Sequence, residues 1–304
     1  MAPTFLITGA TGEQGGATAR FLLAEGATIH ALVRDPSSSA AQALKNAGAI
    51  VFKGDFDDVT AVKSATSGVS GVFLNPQLHE NQRQQAQNFI DAALSSKTVK
   101  TIVLSTAFFT GTPSIWEVAT PDIYQYYTGK GAIEEAVRSA GFENYTILRP
   151  SWLMHNYLQP GSTLHFPELA PDGILAHIYK KDRRMAHLDA ADIGKFAAAA
   201  LLDPVKFSGH EIELGNENLT IEEAAEHLRD ASGVDITVHL RTEEETVAMQ
   251  PKVATMGFQK LANEKELTID GKALETKYGI KLTTLAEYFE RHKDALLKSL
   301  PAPN

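Results

Sequence analysis

Tyr126 and Lys130 stand four residues apart, a spacing that puts both side chains on one face of a helix. An ammonium beside a phenol stabilises the phenolate and draws a tyrosine pKa down from about 10 towards neutrality. Such a phenol can hand a proton to a carbonyl oxygen while hydride arrives at the carbon. Ser105 and Thr106 close an apolar run, and either hydroxyl could hold the same oxygen. Tyr-x3-Lys recurs by chance, and Tyr126 has Tyr124 and Tyr127 beside it. Lining a pocket is therefore its competing role. Gly129 and Gly131 flank the lysine at a cost to the helix, which implies close packing there, with a cofactor as one source.

The amino end indicates where hydride would come from. Phe5-Leu6-Ile7-Thr8 runs into Gly9-Ala10-Thr11-Gly12-Glu13-Gln14-Gly15-Gly16, and a helical pattern follows from Ala17. A strand, a glycine turn and a helix in this order open a dinucleotide-binding βαβ unit. Gly9 permits the tight turn, Gly12 lets a diphosphate approach the backbone, and Gly15 lets the helix pack on the sheet. Free amides at the helix start face the anion, and the helix dipole favours its charge. The plain alternative is a glycine-rich turn without a ligand.

Cofactor choice is read after the second strand, at Val33-Arg34-Asp35. Arg34 can pair with a 2′-phosphate, whereas an acid at this point bonds the ribose hydroxyls and favours NAD. NADP(H) is favoured over NAD(H), with Asp35 as the contrary sign. Asp55 follows the third strand, where its carboxylate can accept from the adenine amine with Phe56 alongside the ring. Asn75-Pro76-Gln77, after the fourth strand, is placed to pass the ribose.

The elements that must position these groups alternate. Strands are expected at Thr28 to Val33, Ala49 to Phe52, Gly71 to Leu74, Thr101 to Leu104 and Tyr145 to Leu148. Helices are expected at 17–24, 38–46, 59–66, 81–94 and 123–139. Alternation of this kind predicts an α/β fold: a Rossmann-like doubly wound parallel sheet with ligands beyond the carboxyl ends of its strands. The expected dinucleotide-binding domain is 1–153, with 185–217 returning to it. Residues 154–184 and 218–304 would form a smaller α+β substrate or lid lobe, with Trp152, Leu153, Tyr157 and Phe166 as an apolar lid. Thr220-Ile221-Glu222-Glu223 and Thr284-Leu285-Ala286-Glu287 read as capping boxes.

Composition excludes several classes. The 304 residues carry a net charge of −9, a field that disfavours direct nucleic-acid binding. With no cysteine, disulfides, thiolate metal sites and a cysteine nucleophile are ruled out. Ten histidines show no metal-ligand spacing, and no metal is expected. His155 and His187 either border the substrate site or, by the reading preferred for each, hold structural hydrogen bonds. The longest apolar run, near Phe196 to Leu202, is too short to span a membrane. The first strand starts almost at Met1, so a cytoplasmic protein is expected.

The motifs Thr8 to Gly16, Val33-Arg34-Asp35-Pro36, Gly54-Asp55-Phe56-Asp57-Asp58, Gly129 to Glu135, Thr146-Ile147-Leu148-Arg149-Pro150 with Asn156, and Asp189-Ala190-Ala191-Asp192-Ile193-Gly194 resemble those of NmrA-like proteins. These are atypical members of the short-chain dehydrogenase/reductase superfamily. The resemblance implies NADP(H) contacts at the glycine turn (Gly9, Ala10, Thr11, Gly12, Glu13, Gln14, Gly15), Arg34, Asp55, Phe56, the Asn75 loop, Lys130, and Ser151, Trp152 and Leu153. It leaves two functions open. One is a reductase of a small apolar carbonyl, quinone or enone, with Tyr126 and Lys130 catalytic. The other is a non-catalytic NADP(H) sensor acting through a protein partner. The oligomeric state is open.

Overall fold

The computed structural model describes residues 2–76, 80–253 and 255–302. The chain divides into two compact units. The first comprises the residues up to Gly111, Tyr126–Pro150 and Ala190–Glu213; the second comprises Thr112–Gln125, Ser151–Asp189 and the residues from Leu214 onward. The expected bounds, 1–153 with 185–217, differ from these units at two kinds of place: 112–125 inside the first stretch, and 151–153, 185–189 and 214–217 at the edges. All four segments belong to the second unit.

The first unit is built on seven strands: β1 (Thr4–Ile7), β2 (Thr28–Val33), β3 (Ile50–Lys53), β4 (Gly71–Leu74), β5 (Thr101–Ser105), β6 (Asn144–Pro150) and β7 (His210–Leu214). Their spatial order is β7-β6-β5-β4-β1-β2-β3. Pairing from β6 through β3 is parallel throughout. The chain winds outward from β1 to β3, then restarts at β4 on the other side, so the switch point lies between β1 and β4. Helices α1 (Glu13–Ala24), α2 (Ser39–Asn46), α3 (Val59–Thr66), α4 (Gln82–Ser96), α5 (Pro121–Ser139) and α6 (Ala190–Leu202) complete the winding.

Alternate strand residues go to opposite faces. Leu6, Leu32, Val72, Leu74, Ile102, Leu104 and Ile147 pack with Val62, Phe89, Ile90, Ile133 and Val137 from α3, α4 and α5. On the other face α6 packs against α1. The apolar run Phe196 to Leu202 thus lies in a helix that is largely buried in the protein core. No helix among the described residues is long and apolar enough to cross a membrane.

The second unit holds a three-stranded sheet, Asn218–Leu219 beside Met185–Leu188 beside Trp152–Leu153, and a parallel pair of Ile174–His177 with Thr237–Leu240. The capping boxes expected at Thr220 and Thr284 are both formed, and Thr242 with Glu245 makes a third.

The turn from β1 into α1 sets the geometry of the first unit. Gly9 has φ +61°, a left-handed conformation that costs a glycine little. A Cβ on Gly15 would lie 2.4 Å from the carbonyl oxygens of both Thr8 and Gly9. Gly15→Ala should therefore destabilise the protein by about 1–3 kcal/mol, the usual cost of overpacking against atoms that cannot move aside. A thermal melt indistinguishable from wild type would contradict this.

Candidate active site

Helix α1 begins at the glycine turn, four residues before the apolar period suggests. Its N-cap is Gly12, which supplies no capping side chain. The Gly12 amide donates to Gly9 O (2.9 Å) and the Gly16 amide to Gly12 O (2.9 Å). Between them, the amides of Glu13, Gln14 and Gly15 have no intrahelical acceptor. Three first-turn donors at the positive end of a helix, crowded by no side chain at Gly12 or Gly15, fit a diphosphate.

Beside this turn lies a cavity of about 240 Å³ lined by Gly9, Thr11, Arg34, Asp55, Phe56 and Gln85, among others. Arg34 is exposed and has no ion-pair partner among the described residues. Asp35 turns into its own loop. Its Oδ1 accepts from the Ser37 amide (2.8 Å) and hydroxyl (2.6 Å), and these bonds hold its carboxyl below the usual range. Asp55 Oδ1 accepts from the Asp57 and Asp58 amides, each at 3.0 Å. Phe56 stands edge-on to Phe89, with centroids 4.8 Å apart. The Asn75 amide donates to Thr8 Oγ1 at 2.8 Å, tying the ends of β1 and β4 together. Ala10 is buried in the turn. Gln77 lies outside the described residues.

Ser105 and Thr106 each hydrogen-bond within the protein. Ser105 is 1% exposed and donates to Gln14 Oε1 at 2.8 Å. Thr106 donates to Glu134 Oε1 at 2.7 Å. Each hydroxyl has one proton, and both are engaged within the protein.

Tyr126 and Lys130 share a face of α5, and the lysine Nζ lies over the Tyr126 ring, 5.8 Å from its centroid. Lys130 is 4% exposed and donates to Pro76 O at 3.0 Å. Burial pulls its ammonium down to about 8. Burial also pushes the Tyr126 phenol up to about 12, the reverse of the lowering that the spacing suggests. Desolvation wins because the ammonium meets the ring face and a carbonyl. In this state Tyr126 carries its proton at neutral pH. Tyr127 is core, and Tyr124 is 46% exposed. At Gly129 the close neighbour is the side-chain amide of Gln82, 2.8 Å from where a Cβ would stand, whereas at Gly131 the nearest atom is Thr110 Cγ2 at 3.9 Å.

Ser151 begins the second unit, and its amide donates to Leu214 O at 2.8 Å. Trp152 and Leu153 form a short strand beside His187 and Leu188. Trp152, Tyr157 and Phe166 form a buried aromatic cluster, with Tyr157 and Phe166 stacked at 5.6 Å. All three side chains are buried in that unit. His187 Nδ1 faces Met185 O (2.8 Å) and its Nε2 faces the Tyr157 hydroxyl (2.9 Å), a structural role. Burial holds this imidazole down to about 4, so it is neutral. No His/Asp/Glu cluster able to hold a metal occurs among the described residues.

A buried ion cluster escaped the sequence reading. Arg149, on β6, grips Glu134 of α5 through Nε (2.9 Å) and Nη2 (2.7 Å). It also reaches Glu211 and Glu213 of β7. Arg138 bonds Glu134 (2.8 Å) and Glu211 (2.6 Å). Glu213 Oε2 accepts from the Phe109 amide at 2.6 Å, and burial pushes its carboxyl up. The available signal was a lone arginine in the apolar run Thr146 to Pro150, because a charge in a buried strand must be paired. The cluster anchors α5, the helix that carries Tyr126 and Lys130.

The fold and the glycine turn define a Rossmann-type domain of the doubly wound class. The profile of the NmrA-like family matches residues 1–292, and the chain belongs to that family. Among curated relatives, it is 29% identical over 163 residues to the NmrA-like family domain-containing oxidoreductase himF of Aspergillus japonicus, covering 51% of this chain and 48% of that one. It is 27% identical over 292 residues to agroclavine dehydrogenase of Claviceps fusiformis, covering 95% and 94%. Among solved structures, NADPH-dependent quinone oxidoreductase QOR2 of Escherichia coli, complexed with NADPH, superposes with TM-score 0.76. That match is at 25% identity and covers 95% of this chain and 99% of that one.

Two measurements follow. Removing Arg149 takes one of two cations from the buried Glu134 and the cation beside Glu213, so Arg149→Met should cost up to about 3–5 kcal/mol in urea unfolding. Combining it with Glu134→Leu should recover part of that loss, and equal losses in the single and double variants would contradict the pairing. For Lys130 the folded value is about 8 against an ordinary 10.5. Between these values the unfolded chain binds the extra proton, so this group's contribution to stability rises with pH. Tyr126 acts oppositely from about pH 10 to 12, where the folded protein keeps the proton longer. Unfolding free energies from pH 8 to 10 should therefore rise more steeply in wild type than in Lys130→Met, and parallel curves would refute the shift.

Proposed function

We propose that the protein is a pyridine-nucleotide-dependent reductase that takes NADPH in preference to NADH and reduces a small apolar carbonyl, quinone or enone. The observation that carries this is the pairing of three free α1 amides with the 240 Å³ cavity whose wall includes Arg34, without an ion-pair partner among the described residues. Arg34 supplies a cation for a 2′-phosphate, and Asp35, bonded to Ser37, withdraws the acid that would repel one. The likeness to an NADPH-complexed quinone oxidoreductase over nearly the whole chain supports the same reading.

In this reading the α1 amides hold the diphosphate and the cavity takes the adenosine. Bound NADPH supplies hydride to the substrate carbon. Tyr126, protonated at neutral pH, gives its phenolic proton to the substrate oxygen, and the phenolate recovers a proton from solvent. Lys130 over the ring steadies that phenolate and offers its ammonium to a ribose hydroxyl. Ser105 fixes the Gln14 amide by its oxygen, turning the NH2 donors away from β5.

Purified protein mixed with NADPH and a panel of quinones and aldehydes should lose the reduced-nicotinamide absorbance band. Tyr126→Phe should cut turnover by about 100-fold or more with NADPH affinity kept. Tight NADPH binding without turnover on any substrate would reject the reductase and fit the sensor. Arg34→Ala should weaken NADPH by about tenfold or more, since a charge-assisted bond is lost, and leave NADH nearly unchanged. Equal weakening of both would refute the assigned preference.

A further inference from the structure

Gln85 is only 8% exposed, yet it lines the 240 Å³ cavity. It lies near the start of α4, and its Nε2 donates to Asp57 Oδ2 at 2.9 Å. That bond fixes which way the amide points. A carboxylate only accepts, so the nitrogen must face Asp57 and the oxygen is the free end. The Gln85 Oε1 has no hydrogen-bond partner among the described residues. Across the same cavity, Asp55 uses one carboxylate oxygen for two backbone amides and leaves Oδ2 without a hydrogen-bond partner among the described residues. The polar groups that Gln85 and Asp55 offer to the cavity are thus acceptors, and Phe56 supplies an aromatic wall.

We infer that Gln85 Oε1 selects the purine, accepting a hydrogen bond from an exocyclic amine and so admitting adenine while rejecting a 6-oxo purine. This rests on the adenosine half of the cofactor occupying the cavity. Adenine carries two amine hydrogens where hypoxanthine carries a carbonyl oxygen. Against acceptors that are already oriented, the oxygen finds no donor and meets like partial charge. Gln85 is itself buried, and an acceptor left unpaired on a buried side chain discriminates more strongly than the loss of a surface contact. Asp57 acts through Gln85: it holds the amide in register.

The test compares NADPH with reduced nicotinamide hypoxanthine dinucleotide phosphate by fluorescence titration. Wild type should bind NADPH at least about tenfold more tightly. Gln85→Met keeps the length of the side chain and removes the amide; it should bring the ratio towards one, chiefly by weakening NADPH. Asp57→Asn, which frees the amide to turn over, should narrow the ratio as well while the melting temperature holds. Equal affinity of wild type for the two dinucleotides overturns the inference, and that result needs no variant to fold. A ratio kept in Gln85→Met also overturns it. If neither dinucleotide binds, the placement of adenosine fails and the inference with it. If NADPH binds tightly without discrimination, only the role of Gln85 fails.

Discussion

The first unit is organised around one close approach, that of α1 to the end of β1. The carbonyls of Thr8 and Gly9 occupy the space a side chain on Gly15 would need. That contact aims the start of the helix and leaves three amides unshared. It also brings α1 near enough to β5 for Gln14 to meet Ser105. From the same turn, Thr8 reaches across the switch point to the Asn75 amide. The cavity walls at Arg34, Asp55 and Gln85 come from separate crossovers, but the floor they share is this turn.

A second constraint governs α5. Glu134 and Arg149 are both nearly solvent-free, and such a pair is weak evidence for stability because desolvation offsets the attraction. Its value lies in geometry. A guanidinium fork meets a carboxylate in few orientations, and the addition of Glu211, Glu213 and Arg138 ties α5 to β6 and β7. Thr106 joins the same carboxylate. The phenol and the ammonium of α5 are thus placed by charges on β6 and β7, while burial pulls the Lys130 ammonium down and pushes the Tyr126 phenol up.

Legibility in the sequence followed locality. Helix α3 and strand β4 were readable to the residue, because a buried run and a helical period declare themselves within eight positions. That Gly9, Arg34 and Asp55 line one cavity was legible because strand ends in a doubly wound sheet gather at one edge. The strands Ile174–His177 and Met185–Leu188 were not, since each pairs with segments tens of residues away and carries no alternation of its own. The ion cluster draws on positions 134, 138, 149, 211 and 213, a set with no common period. Gln85 was missed for the same reason, because its meaning depends on Asp57 across a crossover. The Tyr126 shift was misjudged because spacing shows which side chains are neighbours but not how much water remains around them.

The path of the backbone between the units has a consequence for biosynthesis. The chain passes from one unit to the other at 111–112, 125–126, 150–151, 189–190 and 213–214. Neither unit is therefore a contiguous stretch of the message. The nascent first unit lacks α6 and the edge strand β7 until residue 213 has left the ribosome. Until then, the sheet face that α6 covers stays bare, and Arg149 has Glu134 but not Glu211 or Glu213. Pairings this distant in the chain form slowly and leave apolar surface exposed in the interim, so this topology places its vulnerable moment late in translation.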